Sequence, residues 1–388
     1  MRDFVSKIAA EIPPSGIRRF FDLVLTMDND QVISLGVGEP DFDTPWNVSK
    51  AAITSIEKGM TMYTSNRGLP DLCSVLSKDL EKRYHTKYSP TDEIIVTTGV
   101  SEAFDVAVRA VVNPGDEVIV VDPCFVSYQP EVLMAGGRAV SLPCEAKDQF
   151  KVTPDALMEK ITPATKTLII NFPNNPTGGV MEKADLKAIS DIIIDHDLLL
   201  ISDEVYSELT YDGSHVSAAS IDGLWDRTIT LNGFSKAYAM TGWRLGYLCA
   251  PKNICDAALK IHQYVMMSAP TASQYAAIEA LKNAEEAKNE MVAEYRIRRN
   301  LFVKGLNDIG LPCHLPKGAF YAFPSIEGTG LSDEEFAERL LKEQQVAVVP
   351  GSAFGKTGVG HIRTCYAVDR TKLTEAVRRI GVFVDSLK

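Results

Sequence analysis

Short runs of aliphatic and β-branched residues recur through the middle of this chain, and each run is apolar throughout instead of alternating with polar residues. A strand of this kind must be covered on both faces, as central strands of parallel sheets are. Five such runs are present: EIIVTTG (93–99), DEVIVVDP (116–123), KTLIINFP (166–173), LLLISDE (198–204) and RTITLNG (227–233). The middle of the chain is therefore predicted to form one sheet of buried strands.

Helical patterns separate several of these runs. Residues 101–112 and 182–196 have apolar side chains at spacings of three and four, which is typical of helices that bury one face. Alternation of strand and helix requires right-handed crossovers and gives a mostly parallel sheet with helices on both faces. The predicted fold class is α/β.

The sequence changes character after about residue 275, where charged helical patterns alternate with short strand patterns. One of these helices is predicted to begin after Ser332, a residue suited to the N-cap position. A chain of 388 residues is long enough for two domains. We predict an N-terminal arm that belongs in part to the small domain (1–45), a large domain (46–279) and a smaller α+β domain (280–388).

Composition excludes several classes of function. The chain has 40 basic and 51 acidic residues, and no basic stretch could neutralise a nucleic-acid backbone. No apolar run approaches the roughly 18 residues of a membrane span, and the N-terminal residues do not resemble a signal peptide. The six histidines have no metal-ligand spacing, and the seven cysteines form no CxxC pair. We predict a cytoplasmic protein without metal, membrane or nucleic-acid partners.

Polar and aromatic side chains follow the predicted strands at their carboxyl ends, where open α/β sheets bind ligands. Each has an ordinary explanation by itself, as a turn, a helix cap or a core residue. Together they bring an aromatic ring, an amide, a carboxylate, a phenol and a lysine to one edge of one sheet: Phe125, Asn175, Asp203, Tyr206 and Lys236. This combination predicts a ligand site.

The segment NGFSKAYAMTGWRLGY (232–247) contains two cations and no acidic residue. Burying an unpaired charge is costly, so Lys236 and Arg244 require a partner from outside the segment. The segment therefore predicts a ligand that is negatively charged, reactive towards amines, or both.

These motifs, in this order, resemble the fold-type I pyridoxal-phosphate enzymes, specifically the class I aminotransferases. The resemblance rests on PNNPTG, SDEVY and SKAYAMTGWRLGY, and it extends to SLGVGEPDFDTP near the start and to KGAFYAFP and HIRTCYA near the end. The sequence is most similar to the bacterial and archaeal branch that includes aspartate, aromatic and N-acetyl-diaminopimelate aminotransferases. The resemblance implies the aspartate aminotransferase fold and pyridoxal 5′-phosphate as cofactor.

The resemblance also implies roles around the cofactor ring. Lys236 would form the internal aldimine and then act as general base and acid at the substrate Cα. Asp203 would keep the pyridine nitrogen protonated, which makes the ring an electron sink. Asn175 and Tyr206 would hydrogen-bond the phenolate oxygen, and Phe125 would stack on the ring, where many relatives have tryptophan or tyrosine.

The cofactor phosphate would be bound by Arg244, by Ser235 and by the backbone amides of Val100 and Ser101. Arginine suits a phosphate because its planar group donates two hydrogen bonds at once. Relatives often have a second hydroxyl three residues before the lysine, but this chain has Gly233 there, which leaves one phosphate contact in question.

For the substrate, the resemblance implies that Arg363 binds the α-carboxylate, with Asn175 beside it and Gly38 donating a backbone amide. Phe320 and Tyr321 are predicted to line the site. Ile17, on the N-terminal arm, would close over the substrate.

A second subunit is also implied. Tyr63 matches a tyrosine that reaches the phosphate bound by the neighbouring subunit, so the resemblance predicts a homodimer with composite active sites.

The resulting hypothesis is an aminotransferase that works by a ping-pong cycle between an L-amino acid and a 2-oxo acid such as 2-oxoglutarate. Apolar candidate residues favour aromatic or broad substrates, while aspartate stays possible, with Arg67 as one candidate for a second carboxylate. A carbon–sulfur β-lyase shares the same cofactor residues and is the alternative within this chemistry. A pyridoxal-phosphate-binding transcription regulator is the alternative from another class, but it needs a DNA-binding domain for which the residues before position 34 leave little room.

Overall fold

The structure is a computed structural model that describes residues 4–17 and 31–388. The helices in this part of the chain are α1 (Lys7–Glu11), α2 (Trp46–Glu57), α3 (Pro70–Tyr84), α4 (Gly99–Val111), α5 (Tyr128–Met134), α6 (Pro154–Met158), α7 (Lys183–Asp195), α8 (Lys252–Val265), α9 (Thr271–Asn283), α10 (Glu285–Asp308), α11 (Asp333–Gln344) and α12 (Arg370–Ser386). Each of these helices is either too short or too polar to cross a bilayer.

The strands of the described chain belong to three sheets. They are β1 (Ile33–Ser34), β2 (Ile94–Thr97), β3 (Glu117–Asp122), β4 (Arg138–Pro143), β5 (Thr165–Asn171), β6 (Leu199–Asp203), β7 (Thr228–Gly233), β8 (Gly246–Cys249), β9 (Tyr321–Ala322), β10 (Val346–Ala347), β11 (Val349–Pro350) and β12 (Ile362–Cys365).

The central sheet has seven strands in the order β2-β8-β7-β6-β5-β3-β4. Strands β3 to β7 run parallel, and only β8 is antiparallel to its two neighbours. The mostly parallel α/β fold predicted from the sequence is confirmed. All five predicted runs are strands of this sheet, and each observed strand lies within two residues of its predicted bounds.

Two strands of the central sheet, β4 and β8, have no counterpart among the predicted runs. Strand β4 lies at the sheet edge and is only partly buried, so it lacks the continuous apolar pattern. Strand β8 is four residues long and begins with Gly246. The position of β8 depends on its pairing with the neighbouring strands, and a run of four residues is too short to be recognised as a strand from sequence.

A second core lies apart from the central sheet. Strand β1 pairs in parallel with β10, and β11, β12 and β9 form an antiparallel sheet that α10, α11 and α12 cover. The predicted N-cap is present, since Ser332 Oγ accepts a hydrogen bond from the N–H of Glu335 at 3.2 Å. The domain boundaries at residues 45 and 279 stay a prediction, although β1 does join the C-terminal strands.

Parallel pairing brings the carboxyl ends of the central strands together. Asn171, the last residue of β5, pairs with Asp203, the last residue of β6, and Asp203 pairs in turn with Leu231 of β7. The side chains that follow these strands are therefore neighbours in space although about 30 residues separate them along the chain.

Candidate active site

A cavity of about 300 Å³ lies at the carboxyl edge of the central sheet. All the predicted site residues except Tyr63 and Phe320 line it. They are Ile17, Gly38, Val100, Ser101, Phe125, Asn175, Asp203, Tyr206, Ser235, Lys236, Arg244 and Arg363. The remaining lining residues, not singled out as site residues except Tyr321, are Phe104, Ser127, Tyr128, Asn171, Val205, Thr241 and Tyr321.

The cavity has two walls of different origin. The sheet wall is formed by residues at the ends of the central strands, namely Phe125, Tyr128, Asn171, Asp203 and Lys236. The composite wall is formed by Ile17 of the N-terminal segment, Gly38 of the loop after β1, Tyr321 of β9 and Arg363 of β12.

Asp203 is the buried carboxyl group of the sheet wall. One of its oxygens accepts a hydrogen bond from the Tyr128 hydroxyl at 2.6 Å, and the other accepts from the N–H of Val205 at 3.1 Å. Burial raises the pKa of Asp203 to about 6, while these two hydrogen bonds oppose the rise. A cation placed against Asp203 would relieve its desolvation, and a protonated ring nitrogen is such a cation.

Tyr128 is a residue that the sequence analysis missed. It begins α5, three residues after Phe125, and its ring is packed against those of Phe104 and Phe125. A tyrosine in the first turn of an amphipathic helix looks like a core residue, so no sequence signal marks it. Only the distance between its hydroxyl and Asp203 does so.

Lys236 follows β7 and points across the cavity to the composite wall. Its Nζ donates a hydrogen bond to the carbonyl oxygen of Gly38 at 2.6 Å and lies 5.6 Å from the centre of the Phe320 ring. Burial lowers the pKa of Lys236 to about 8. Near neutral pH a larger fraction of this amine is therefore neutral than in a solvent-exposed lysine, which favours a role as nucleophile or general base.

Arg363 is the buried cation of the composite wall, with 2% of its surface exposed. Its Nη1 donates to Asn175 Oδ1 at 3.0 Å and its Nη2 donates to the carbonyl oxygen of Gly36 at 2.6 Å. The Nε is buried without a hydrogen-bond partner among the described residues. The Tyr321 and Phe354 rings lie on the guanidinium at 4.7 Å each. No carboxylate of the described chain forms an ion pair with Arg363, so the group is suited to an anionic ligand.

Phe320 requires a correction, because it does not line the cavity. Its ring is fully buried behind Tyr206, edge to face at 5.5 Å between ring centres. Tyr321 reaches the cavity instead, and its hydroxyl is hydrogen-bonded to the Tyr206 hydroxyl at 2.8 Å. Successive residues at a strand point to opposite sides, so only one of the two can face the ligand.

The residues where β2 ends and α4 begins, 97–101, are called the Gly99 turn below. Gly99 has φ +75°, and a Cβ there would lie 2.6 Å from Arg244 Nη2, so the guanidinium lies directly against the turn. Arg244 also has positive φ (54°). The first N–H groups of α4 have no partner within the helix, and together with Arg244 and Ser235 they form a concave group of donors suited to a phosphate.

The structure explains why glycine occupies position 233, where relatives often have a residue with a hydroxyl group. A Cβ at Gly233 would lie 2.9 Å from Val100 Cγ2, and a Cβ at Gly246 would lie 2.7 Å from the Val100 nitrogen. The Gly99 turn thus packs directly on the backbone of β7 and β8. A serine at position 233 would force the Val100 side chain or the backbone at Gly246 to shift.

Two further candidates lie outside the cavity. Tyr63 is 82% exposed, on the surface and away from the cavity of its own chain. Arg67 donates hydrogen bonds to Asp256 at 2.5 Å and to the carbonyl oxygen of Asp92 at 2.9 Å. Arg67 therefore does not face a substrate in this chain.

The residues present fit pyridoxal 5′-phosphate. The cavity offers a donor-rich turn with Arg244 for a phosphate, a buried carboxyl group at Asp203 for a ring nitrogen, and the low-pKa amine of Lys236 for an aldehyde. The Phe125 ring lines the space between them. The three groups match the three reactive parts of the cofactor.

Comparison with known proteins gives an independent result. A family model described as "Aminotransferase class I and II" matches residues 30–380. The chain is 51% identical over 384 residues to the putative aminotransferase YugH of Bacillus subtilis, with 99% of each chain covered. It is 46% identical over 372 residues to the aspartate aminotransferase of Pyrococcus abyssi, with 95% of each covered. The crystal structure of an aromatic aminotransferase from Pyrococcus horikoshii is 45% identical, with a TM-score of 0.91 over 95% of this chain and 99% of that one.

Proposed function

This chain belongs to the class I and II aminotransferases, enzymes that depend on pyridoxal 5′-phosphate, and we propose that it transfers amino groups in a ping-pong cycle. The amino donor is an L-amino acid, aromatic or of broad range, and the acceptor is a 2-oxo acid such as 2-oxoglutarate. The observation that carries the proposal is that Lys236 and Arg363 open into the same cavity. One provides an amine of lowered pKa and the other a buried guanidinium with an unpartnered N–H.

When bound, pyridoxal 5′-phosphate supplies an aldehyde that takes up the amino group and a ring that withdraws electrons from the substrate Cα. Lys236 would remove the proton from this Cα as a positioned general base and deliver it, as a general acid, to the carbon that carried the cofactor aldehyde. Asp203 would hold a proton at the ring nitrogen, and Asn175 and Tyr206 would donate hydrogen bonds to the ring oxygen. Phe125 would stack on the ring.

Binding and orientation are the work of the other cavity residues. Arg244, Ser235 and the amides of Val100 and Ser101 bind the phosphate. Arg363 binds the substrate carboxylate beside Asn175, whose Oδ1 already accepts from Arg363 and so leaves its NH₂ group to donate into the cavity. Gly38 and Ile17 enclose the substrate from the composite wall and exclude water.

The preference for aromatic or apolar side chains follows from the charges that line the cavity. In the part of the chain that the structure describes, the basic residues that line the cavity are Lys236, Arg244 and Arg363. Each of them has a proposed role at the cofactor or at the substrate α-carboxylate. A second substrate carboxylate would face side chains such as Phe104 and Ile17 without a cation, which is unfavourable. The relatives bear both aspartate and aromatic names, so similarity alone does not select a substrate.

A homodimer with composite sites is supported by the surface around Tyr63. Exposed apolar side chains cluster there on α2, on the loop before α3 and at the end of α8, among them Trp46, Met62 and Tyr264, the last 92% exposed. A hydrogen bond connects the start of α9 to the loop before α3, since Thr271 Oγ1 donates to the carbonyl oxygen of Met62 at 2.8 Å. Apolar patches of this kind mark interaction surfaces, and a second copy of the chain would place Tyr63 of the partner subunit at the phosphate.

A panel of amino donors, each measured as a half-reaction that converts the bound cofactor, tests the proposed function. Phenylalanine and tyrosine should react with a kcat/KM at least about tenfold higher than aspartate, because of the unpaired second carboxylate. The Lys236→Ala variant serves as the blank. Aspartate as the fastest donor would contradict the proposed preference, and release of pyruvate and ammonia from cystathionine without amino transfer would replace the proposal with the carbon–sulfur lyase.

A further inference from the structure

A buried pair of side chains, Glu102 and His262, lies directly behind the Gly99 turn. One oxygen of Glu102 accepts a hydrogen bond from the N–H of Thr98 at 2.5 Å, and the other is hydrogen-bonded to His262 Nδ1 at 2.6 Å. Glu102 is 8% exposed and His262 is fully buried. Neither lines the cavity. Glu102 therefore contacts the turn directly and His262 contacts it through Glu102, both from outside the cavity.

The position of the turn determines where the amides of Val100 and Ser101 point. On one side the turn rests on Gly233 and Gly246, which leave no space for a side chain. Within the turn, Thr97 Oγ1 donates to the carbonyl oxygen of Gly99 at 2.9 Å. Glu102 is the side chain that holds the N–H of Thr98, so it fixes the start of the turn.

His262 connects this arrangement to a different helix. It lies on α8, whereas Glu102 lies in the first turn of α4, where a carboxyl group interacts favourably with the helix dipole. Because Glu102 is held from both sides, by Thr98 and by His262, its side chain is restricted to one conformation. The turn is thus held by a connection between α4 and α8.

The cluster is not the arrangement that stability alone would select. Thr98 Oγ1 and His262 Nε2 are buried without hydrogen-bond partners among the described residues. Burying a polar atom without a hydrogen-bond partner is unfavourable. Departures of this kind are expected where function constrains the structure.

We propose that Glu102 and His262 are positioning residues for the cofactor phosphate, which hold the Gly99 turn so that the amides of Val100 and Ser101 are oriented towards it before binding. The inference rests on the proposed placement of the phosphate at this turn. Because the amide donors are already oriented before the cofactor binds, binding does not lose free energy in ordering them, and the affinity for the cofactor is higher.

The test compares two ligands of the full-length apoprotein, pyridoxal 5′-phosphate and pyridoxal, which has the same ring and aldehyde but no phosphate. In Glu102→Ala the dissociation constant for pyridoxal 5′-phosphate should rise about 10- to 100-fold, while that for pyridoxal stays within about twofold. Glu102→Gln keeps an acceptor for the N–H of Thr98, so it should restore phosphate-dependent affinity to within about threefold of the wild type.

His262→Leu provides a second variant that keeps the core filled. It should raise the dissociation constant for pyridoxal 5′-phosphate about three- to tenfold with no change for pyridoxal, and it carries the test if Glu102→Ala does not fold. The matched control is His215→Leu, which breaks a similar buried pair with Glu204, 2.9 Å apart. The other side-chain hydrogen bonds of Glu204 are to Ser202, Ser217 and the N–H of Ala218, and none is to the turn. This control should leave the ratio of the two dissociation constants unchanged.

Three results would overturn the inference: equal losses for both ligands in Glu102→Ala, a phosphate preference that survives in Glu102→Ala and His262→Leu, or a Glu102→Gln variant as weak as Glu102→Ala. A wild-type apoprotein that binds pyridoxal as tightly as pyridoxal 5′-phosphate would instead contradict the proposed function, because the turn would then bind no phosphate.

Discussion

The sheet wall and the composite wall enclose one cavity but are assembled in different ways. The sheet wall takes its residues from consecutive strands, so that Asn171, Asp203 and Lys236 become neighbours as soon as β5, β6 and β7 pair. The composite wall takes Gly38 and Arg363 from segments more than 300 residues apart, which meet only when β1 and the C-terminal strands share a core. The sheet wall is a result of sheet topology, and the composite wall is a result of long-range packing.

The walls also differ in how their buried ionisable groups respond to burial. On the sheet wall, burial raises the pKa of Asp203 and lowers that of Lys236, so both groups are shifted towards their neutral forms. On the composite wall, Arg363 cannot become neutral, and it keeps an unpartnered Nε. The sheet wall is therefore suited to proton transfer and the composite wall to binding an anion.

Lys236→Ala should give the largest effect on the sheet wall. Removing the general base and the covalent link to the cofactor should lower the rate of amino transfer at least about 10⁴-fold. Stopped-flow half-reactions measure the rate, and the visible absorbance of the lysine-bound cofactor should disappear. Lys252→Ala, at an exposed surface lysine, is the control and should behave as the wild type. Retention of that absorbance in Lys236→Ala would exclude Lys236 as the attachment point.

The same variant tests whether the cavity is completed by a second chain. In the proposed homodimer, mixing Lys236→Ala chains with Tyr63→Ala chains would give some dimers in which one site combines Lys236 with Tyr63 of the partner subunit. Refolded at equal amounts, the mixture should recover up to about one quarter of wild-type activity, because half of the dimers are mixed and each has one intact site. Activity no higher than the average of the two separate variants would count against composite sites.

Arg363→Lys addresses the composite wall and should have an intermediate effect. Lysine keeps the positive charge but loses the planar pair of donors, so kcat/KM for amino acids should fall about 100-fold. The distinguishing measurement uses a primary amine that lacks the carboxylate, for which the loss should be small. Arg227→Lys, at a surface ion pair with Asp197, is the control. An equal loss for the amine and the amino acid would show that Arg363 does not bind the carboxylate.

Tyr128→Phe should produce the smallest effect and a characteristic pH dependence. The Tyr128 hydroxyl favours the ionised form of Asp203, so its removal should raise the pKa of Asp203 further above its present value of about 6. The loss of kcat on acidification should then begin about one pH unit higher, and the variant should recover as the pH rises. The control is Tyr88→Phe, which removes a buried hydroxyl bonded to Thr230. An unchanged acidic limb in Tyr128→Phe would show that this contact does not tune Asp203.

Sequence patterns were a better guide to the sheet wall than to the composite wall. Buried strands are recognisable as continuous apolar runs, and the residues that follow them must share an edge, which is why Asp203 and Lys236 could be brought together without coordinates. Arg363 and Gly38 were found only through a family resemblance. The sequence did not determine which of Phe320 and Tyr321 faces the cavity, because strand β9 has only two residues and shows no alternation of apolar and polar side chains.

Other features were invisible to pattern reasoning for a common reason. Tyr128, Glu102 and His262 lie on amphipathic helices, where an aromatic ring, a first-turn carboxyl group and a histidine all have ordinary explanations. What distinguishes them is a hydrogen bond to a residue between 4 and 160 positions away. The two distant pairs depend on which segments pack together in the folded chain, and local periodicity contains no information about that.

The sequence by itself determined the α/β class and the positions of five of the seven central strands, and it predicted a ligand site at their carboxyl edge, because apolar periodicity acts locally. Only the tertiary structure decided the closing of the cavity by the composite wall, the hydrogen bond from Tyr128 to Asp203 and the support of the Gly99 turn by Glu102 and His262. Most of these contacts come from close packing between segments distant in the chain, where a shift of one ångström decides whether a hydrogen bond forms.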